Sequence, residues 1–304
     1  MTGLFALTKR NVKLYFKDKG MFISSMITPI ILLVLYATFL KKIYDDSFRS
    51  ALREAGASVS DAILNGCVGG QLVSSLLAVS CVTVAFCSNL IIIKDKTSGA
   101  RHDLTVSPVR YGTLGLSYYL ATLASTLIIN GTAACVCLGY LAIVGWCLSA
   151  ADVLLMLLDI FLLTMFGTAL SSCINFFLST DGQASAVATI VSAGYGFICG
   201  AYMPISSFGT GLQNALSLLP GTYATALLRN HAMRGSFNKM AAEGFPAEVI
   251  DGIRGSVDCT PSFFGHTVGI GGMYAVLCIS ILVLLFLYTG LNILSGKAWQ
   301  KNRT

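Results

Sequence analysis

The side chains in this sequence that could run a reaction are few and scattered. Nucleotide hydrolysis needs a glycine-rich loop ending in Gly-Lys-Ser/Thr, whose backbone amides cradle the phosphates. The nearest approach is Gly296-Lys297, but Ala298 follows where a hydroxyl is needed and Gly290 stands one residue too far upstream. His102, His231 and His266 are the three histidines. Their spacing does not suit a metal site, and a His-Glu-x-x-His pair is absent. A membrane serine hydrolase would need a histidine inside an apolar segment beside a serine, and His266 lies only at the end of one. Asp45-Asp46 is an isolated acidic pair, whereas magnesium-assisted transfer to a phosphate or prenyl group normally gathers more carboxylates at one place. Asp159 is the one ionisable residue well inside a long apolar run. An acid in that setting is a functional candidate by default. Facing an outer vestibule, or pairing with a neighbour's hydroxyl, are the structural alternatives. No catalytic set and no metal set emerges, so an enzymatic role is not expected.

Composition explains where such a chain can exist. It has 304 residues, 55% hydrophobic and 11% charged, against about 25% charged in an ordinary soluble domain. The mean hydropathy is +0.75. A soluble protein could not cover itself with so few charges, and a disordered one would be poorer in apolar residues. The 20 basic residues, which give a net charge of +6, are spread along the chain, so nucleic-acid binding is not expected. An all-α integral membrane protein remains. A membrane helix needs about 20 apolar residues. Runs free of Asp, Glu, Lys and Arg cover 20–40, 62–93, 111–151, 160–180, 182–228 and 259–296. The runs lack strict alternation and far exceed a barrel strand. They predict six transmembrane helices at 21–40, 63–93, 118–146, 153–178, 183–203 and 267–294. The second half of the 182–228 run is broken by Pro204, Gly209, Gly211, Pro220 and Gly221, so it reads as a re-entrant or interfacial hairpin rather than a seventh span. Together, 204–266 is expected to be an extracellular hairpin and loop.

Lys and Arg give the orientation. With the N-terminus inside, 12 basic residues fall on the cytoplasmic side and 8 on the other, and five of the 12 precede the first span. A multi-pass protein of the cell membrane with both termini cytoplasmic is therefore expected. Residues 21–40 are too long and wrongly flanked for a cleaved signal peptide. Of the ten cysteines, Cys67, Cys147 and Cys259 stand near the outer face, where a disulfide is one reading and free thiols the other.

Two polar stretches on the cytoplasmic side stand out. Residues 1–20 form an amphipathic helix in which Lys9, Arg10, Lys13 and Lys17 share a sector, suited to the headgroup plane of an anionic bilayer. The segment Lys94-Asp95-Lys96 through Arg110 is the longest charged insertion between spans. Gly99 ends the preceding helix, 100–106 holds about two helical turns, and Pro108 forces Ser107 to be extended. The second span carries Gln71, Ser74, Ser75, Ser80, Thr83, Ser88 and Asn89, which is polar for a lipid-facing helix. Such groups either bind neighbouring helices together or line a wet pathway.

The order of these features resembles the membrane (permease) subunit of type-2 ATP-binding-cassette (ABC) exporters. The resemblance rests on Lys94-Asp95-Lys96, Gly99, Leu104 and Ser107-Pro108 at the inner loop. Further on it rests on Met203-Pro204, Leu219-Pro220-Gly221-Thr222-Tyr223 and Leu227-Leu228-Arg229. It spans nearly the whole chain as a single transmembrane domain, 1–304. It implies that 1–20 is a connecting helix and that 98–107 is a coupling helix docking into a separate ABC ATP-binding subunit. The contact residues would be Ser98, Gly99, Arg101, His102, Asp103, Leu104, Val106, Ser107 and Pro108. No cofactor is then expected on this chain, since ATP and Mg would bind the partner. A second membrane subunit, identical or paralogous, would complete a central path, with Ser74, Asn89, Asp159, Thr189, Ser192 and Tyr195 as candidate lining. Met203, Pro204, Pro220 and Tyr223 would form the extracellular gate. The implied function is outward movement of a drug, lipid, peptide or similar amphipathic substrate. An ion-coupled secondary transporter or a membrane-embedded enzyme are the competing classes. The first lacks a visible internal repeat, the second a convergent catalytic set.

Overall fold

The computed structural model describes residues 2–54, 60–107 and 109–301. Helix α1 (Thr2–Lys17) leads into α2 (Lys19–Leu35), whose first turn is capped by Asp18 accepting the Met21 amide at 3.1 Å. The helix continues through Pro29. Its irregularity falls instead at a π turn, Tyr36–Leu40, after which α3 (Lys41–Glu54) extends the same rod beyond the apolar stretch. The polar residues 41–54 after the first span are therefore helical.

Helix α4 (Asp61–Ser88) is the axis of the bundle. It packs on α2, α7 (Tyr111–Val144), α8 (Ala150–Phe177), α9 (Asp181–Ile198) and α11 (Pro220–Ala242), and nearly all of it is buried within one chain. Its small residues permit this. A Cβ on Gly70 would lie 2.7 Å from the Ala232 carbonyl oxygen, and one on Gly66 would lie 2.6 Å from Ser236 Oγ. Close approach through small residues is how membrane helices gain van der Waals contact without a hydrophobic driving force between them.

Two polar residues of α4 and its C-cap, Ser80 and Asn89, bond to neighbouring helices, while Ser74 and Thr83 return to carbonyls of their own helix. Asn89 Nδ2 donates to Ser171 and Ser172 Oγ at 3.0 and 3.1 Å, and Asn89 Oδ1 accepts from Thr122 at 3.2 Å. Ser80 donates to Asn130 Oδ1 at 2.8 Å, and Asn130 Nδ2 donates to Thr164 at 3.2 Å. Each such bond contributes about 0.6 kcal/mol in a membrane bundle.

Helices α5 (Ile91–Thr97) and α6 (Ala100–Val106) follow α4 at one end of the bundle. At the other end α10 (Thr210–Leu216), α12 (Ala247–Ser256) and a hairpin of Ser262–Phe263 with His266–Thr267 precede α13 (Ile270–Lys301). The hairpin turn places Phe264 and Gly265 at positive φ, 48° and 86°.

Among the described residues, five helical stretches are long and apolar enough to cross a membrane: Lys19–Ser50, Asp61–Thr97, Tyr111–Val144, Ala150–Phe177 and Ile270–Ser295. The expected fifth span, 183–203, is the 18-residue α9, which ends at Ile198. At 1.5 Å per residue it is about 27 Å long, slightly under the hydrocarbon thickness. Within the stretch expected to be an extracellular hairpin and loop, helix α11 runs for 23 residues and is largely buried. It inserts among α4, α8 and α13, antiparallel to α4, with Ser236 level with Gly66, Ala232 with Gly70, and Arg229 with Ser75. The ten cysteines are all free thiols.

Candidate functional site

The end of the bundle that carries α5 and α6 is held by three consecutive side chains, each reaching a different element. Lys94 Nζ binds the carboxylate of Asp18, at the joint between α1 and α2. Asp95 is buried and receives two hydrogen bonds from the Arg10 guanidinium of α1, one of them at 3.0 Å from Nη2, and a third from Tyr118 of α7 at 2.5 Å. Lys96 Nζ donates to the carbonyls of Asn175, Phe176 and Leu178 at 3.0, 2.7 and 2.5 Å. Those carbonyls lie at the C-terminus of α8, where helical carbonyls lack partners and a cation is favoured. The charge alternation in Lys94-Asp95-Lys96 is thus a three-way tether. The hydrogen bond from Lys94, with a further one from the Met21 amide, holds the Asp18 carboxyl below its usual range, and the bond to Asp95 raises Arg10.

Helix α1 departs from a simple headgroup-plane helix. Lys9, Lys13 and Lys17 face outward as expected, but Arg10 turns in to Asp95, and Asn11 and Tyr15 are buried against the bundle. Tyr15 shares a hydrogen bond with Ser25 at 2.5 Å. The first helix is therefore fastened to both α5 and α7.

The turn into α6 is made at Gly99, with φ +81°, a left-handed conformation that side-chain-bearing residues disfavour by about 1–2 kcal/mol. Helix α6 then stands off the bundle with two faces. Leu104 packs back against the apolar cluster that includes Ile91, Ile92, Leu114 and Tyr118. His102, Asp103 and Val106 point away, and Val106 is 55% exposed. Arg101 is half-buried, and Ser98 caps the end of α5. Ser107 is extended, ψ 160°, and its hydroxyl returns to the Leu104 carbonyl at 2.6 Å. Pro108 lies outside the described residues.

The opposite half of the bundle is organised by Arg229, 1% exposed on α11. Its Nη1 donates to the Val257 carbonyl at 2.6 Å, and its Nη2 donates to the Gly200 carbonyl at 2.8 Å and to Ser75 Oγ at 3.4 Å. Asp258, 4.0 Å from the guanidinium, accepts the backbone amides of Ile205 and Ser206. One buried cation thus gathers the end of α9, the 205–207 turn and the end of α12 onto α4. Pro204 opens that turn, Met203 beside it is 40% exposed, and Pro220 occupies the first turn of α11. Tyr223 is buried, with its hydroxyl donating to the Ser217 carbonyl at 2.6 Å.

The candidate path residues separate into groups. Ser74 and Asn89 are buried inside one chain. Ser74 donates to the Gln71 carbonyl at 3.0 Å, and Asn89 is engaged as described above. Tyr195 is buried beside Gly221, where a Cβ would come within 2.6 Å of its hydroxyl. Thr189 is exposed and Ser192 half-exposed on the outer face of α9, which also carries Gln183, Ala186, Ile190, Ala193 and Phe197. Asp159 is fully paired. It accepts from Tyr274 of α13 at 2.7 Å and shares a hydrogen bond with His231 Nδ1 of α11 at 2.6 Å. The sequence alone did not bring out the pairing of His231 with Asp159, or of Arg10 and Tyr118 with Asp95. Their partners are 72, 85 and 23 residues away, so no local pattern reports them.

The chain is a helical bundle with five stretches long and apolar enough to cross a membrane, a short tethered helix at one end and the buried helix α11 packed among α4, α8 and α13. The family model for ABC-2 type transporters matches residues 2–232, most of the chain, so the chain belongs to the ABC-2 type transporter family. It is the permease, a membrane subunit distinct from the ATPase, and the family implies an ATP-binding partner in general. A search of curated proteins gave no match.

Proposed function

We propose that this permease moves an amphipathic substrate (a drug, lipid, peptide or similar molecule) outward across the cell membrane, driven by a separate ATP-binding subunit that holds ATP and Mg. The observation that carries the reading is α6. Its His102–Asp103–Val106 face is free, while the three tethers behind it connect the same segment to α1, α7 and α8. A push on α6 is thereby delivered to three helices at once, which suits a rigid-body switch between inward- and outward-open states. In this reading the α6 end is cytoplasmic, as are both termini, and α9 makes the sixth crossing beside the five long helices. A second membrane subunit, identical or paralogous, packs on the free face of α9. Thr189 and Ser192 then line the path, whereas Asn89 binds neighbouring helices together and Ser74 is bonded within its own helix. Met203, Pro204, Pro220 and Tyr223 form the gate at the far end.

Co-purification with the ATP-binding subunit tests this. Val106→Asp is expected to abolish co-purification without disturbing the isolated permease, because the side chain touches little of its own chain. Leu104→Asp should instead destabilise α6 itself, since Leu104 is its apolar anchor. A complex that survives Val106→Asp and His102→Ala intact would refute docking through this face.

A further inference from the structure

At the end of the bundle away from α6, Ser262–Phe263 pairs with His266–Thr267, Ser262 opposite Thr267 and Phe263 opposite His266. Two residues therefore make the turn, Phe264 and Gly265, with φ +48° and +86°. Positive φ at both central positions is the mark of a type I′ turn, whose twist suits a tight hairpin and whose first position normally falls to Asn, Asp or Gly. A phenylalanine there adopts a backbone conformation that bulky side chains rarely take. Its ring is not repaid by packing inside the chain. Phe264 is 53% exposed and Phe263 is 42% exposed, and the two rings meet edge to face with centroids 4.9 Å apart. The chain holds two uncovered aromatic rings at a hairpin tip, in a turn that asparagine would form more readily.

The surroundings say what those rings meet. The hairpin joins α13 without slack. The Val268 amide donates to the Pro261 carbonyl at 2.9 Å and the Met273 amide to the Gly269 carbonyl at 3.1 Å, so the second strand runs directly into the helix. Residues 259–296 contain no Asp, Glu, Lys or Arg. From Lys297, the first charge after that run, back to Ile270 is 27 residues, a rise of about 40 Å along the helix. A bilayer with both headgroup regions is about 40–45 Å thick. With Lys297 at one headgroup boundary, the hairpin stands at the other. Ile270 in the first turn of α13 is 46% exposed, and Ile279, Leu282, Val283 and Phe286 farther along the same helix are each more than half exposed, as a lipid-facing span requires. A protein partner fits less well. A two-residue tip offers far less than the about 800 Å² per side of a stable interface, and the hairpin presents no Asp, Glu, Lys or Arg for a partner to recognise.

We infer that the 262–267 hairpin is an interfacial anchor. Phe263 and Phe264 insert at the boundary between headgroups and acyl chains in the leaflet away from α6, and they hold that end of α13 at a fixed depth. Rings at this boundary gain apolar contact, while the exposed Ser262 and Thr267 stay among the headgroups. The inference needs only that α13 crosses a bilayer. It is independent of the direction of transport, the cargo and the ATP-binding subunit.

The chain has two tryptophans. The full chain carrying Trp146→Phe, Trp299→Phe and Phe264→Trp is placed in bilayers of phosphatidylcholine brominated near the glycerol, midway along the acyl chains or near their ends. Emission is expected to be shifted to the blue relative to the unfolded protein, and to lose most intensity to the shallow bromines and least to the deep ones. Emission as in water with no quenching would leave the tip in solvent. A blue shift with no quenching would mean a protein cover, and quenching that rises toward the chain ends would place the ring in the hydrocarbon core. Each of these overturns the anchor. Phe264→Asn supplies the second measurement, because asparagine suits the turn but lacks the ring. Amide exchange of 262–268 in nanodiscs is expected to rise about tenfold, as loss of one lipid-covered ring implies. Unchanged or slower exchange would mean that the ring only strains the turn, and would overturn the anchor even where the tryptophan variant fails to fold.

Discussion

Replacing Asp95 by Asn isolates the tether that joins the first helix to the segment carrying α6. Asparagine keeps the shape but removes the charge, and its Nδ2 presents donors where Arg10 and Tyr118 also donate. The structure sets the magnitude. Asp95 accepts three hydrogen bonds, and its side chain is 7% exposed against 33% for Arg10. The partly wet Arg10 keeps its share toward the lower end for ion pairs, about 1 kcal/mol. The Tyr118 hydroxyl is buried and loses a charged acceptor, worth about 1–2 kcal/mol. The expected loss is therefore about 2–3 kcal/mol. Arg10→Ala alone leaves the buried carboxylate with only Tyr118, so it should be comparably harmful. In the double variant the penalties overlap, giving a coupling energy of about 1–2 kcal/mol. Denaturant titration of the four proteins in mild detergent supplies the cycle, and amide exchange of α1 supplies the location. Exchange over Thr2–Lys17 should rise in each variant, while the α4–α11 pair stays protected. A coupling energy below about 0.3 kcal/mol, with α1 exchange unchanged, would refute the idea that Asp95 holds the first helix in place.

Three further outcomes follow from particular contacts. Gly235→Ala would put a Cβ 1.8 Å from the Cys147 carbonyl oxygen. It should therefore destabilise the protein by about 3 kcal/mol, at the upper end for overpacking. Gly139→Ala, with nothing within 4 Å, should be neutral or slightly stabilising by the same unfolding assay. Burial pushes the Cys259 thiol up to about 12, so it stays protonated through neutral pH. A water-soluble maleimide at pH 7.5 is expected to modify the half-exposed Cys147 and spare Cys259, read by peptide mass. Labelling of Cys259 before Cys147 would contradict the packing of the 255–262 segment. Asp18 has a depressed carboxyl, so its bond to Lys94 contributes stability above the ordinary carboxylate value of about 3.9 and loses it as pH falls below that value. Protection factors in α1 should be flat between pH 5 and 8 and fall only in stronger acid.

Much of the fold was legible because lipid imposes a coarse constraint. Runs such as 62–93 and 111–151 must be helical and buried in something apolar, and α4 and α7 lie within them. The turn chemistry around α6 was legible too, since Gly99 can take the left-handed backbone that other residues disfavour and Pro108 keeps Ser107 extended. The region around α11 was less so. The 204–266 stretch reads as an extracellular hairpin and loop, and only the small residues of α4 reveal that α11 is accepted into the centre of the bundle.

What the sequence determined by itself is the medium, the helical class and the place where a polar helix interrupts the spans, because hydropathy and backbone restriction are properties of short stretches. What only tertiary structure decided is which polar residues face inward to bond and which face outward. Asn89 and Thr189 are equally polar, but one is enclosed by Ser171, Ser172 and Thr122 while the other is exposed on α9. Likewise the pairings Arg10–Asp95, His231–Asp159 and Arg229–Ser75 join residues 72 to 154 positions apart. Burial and partner choice are properties of packing, and helix packing in a membrane is set by side-chain shape and interhelical hydrogen bonds that no local pattern encodes.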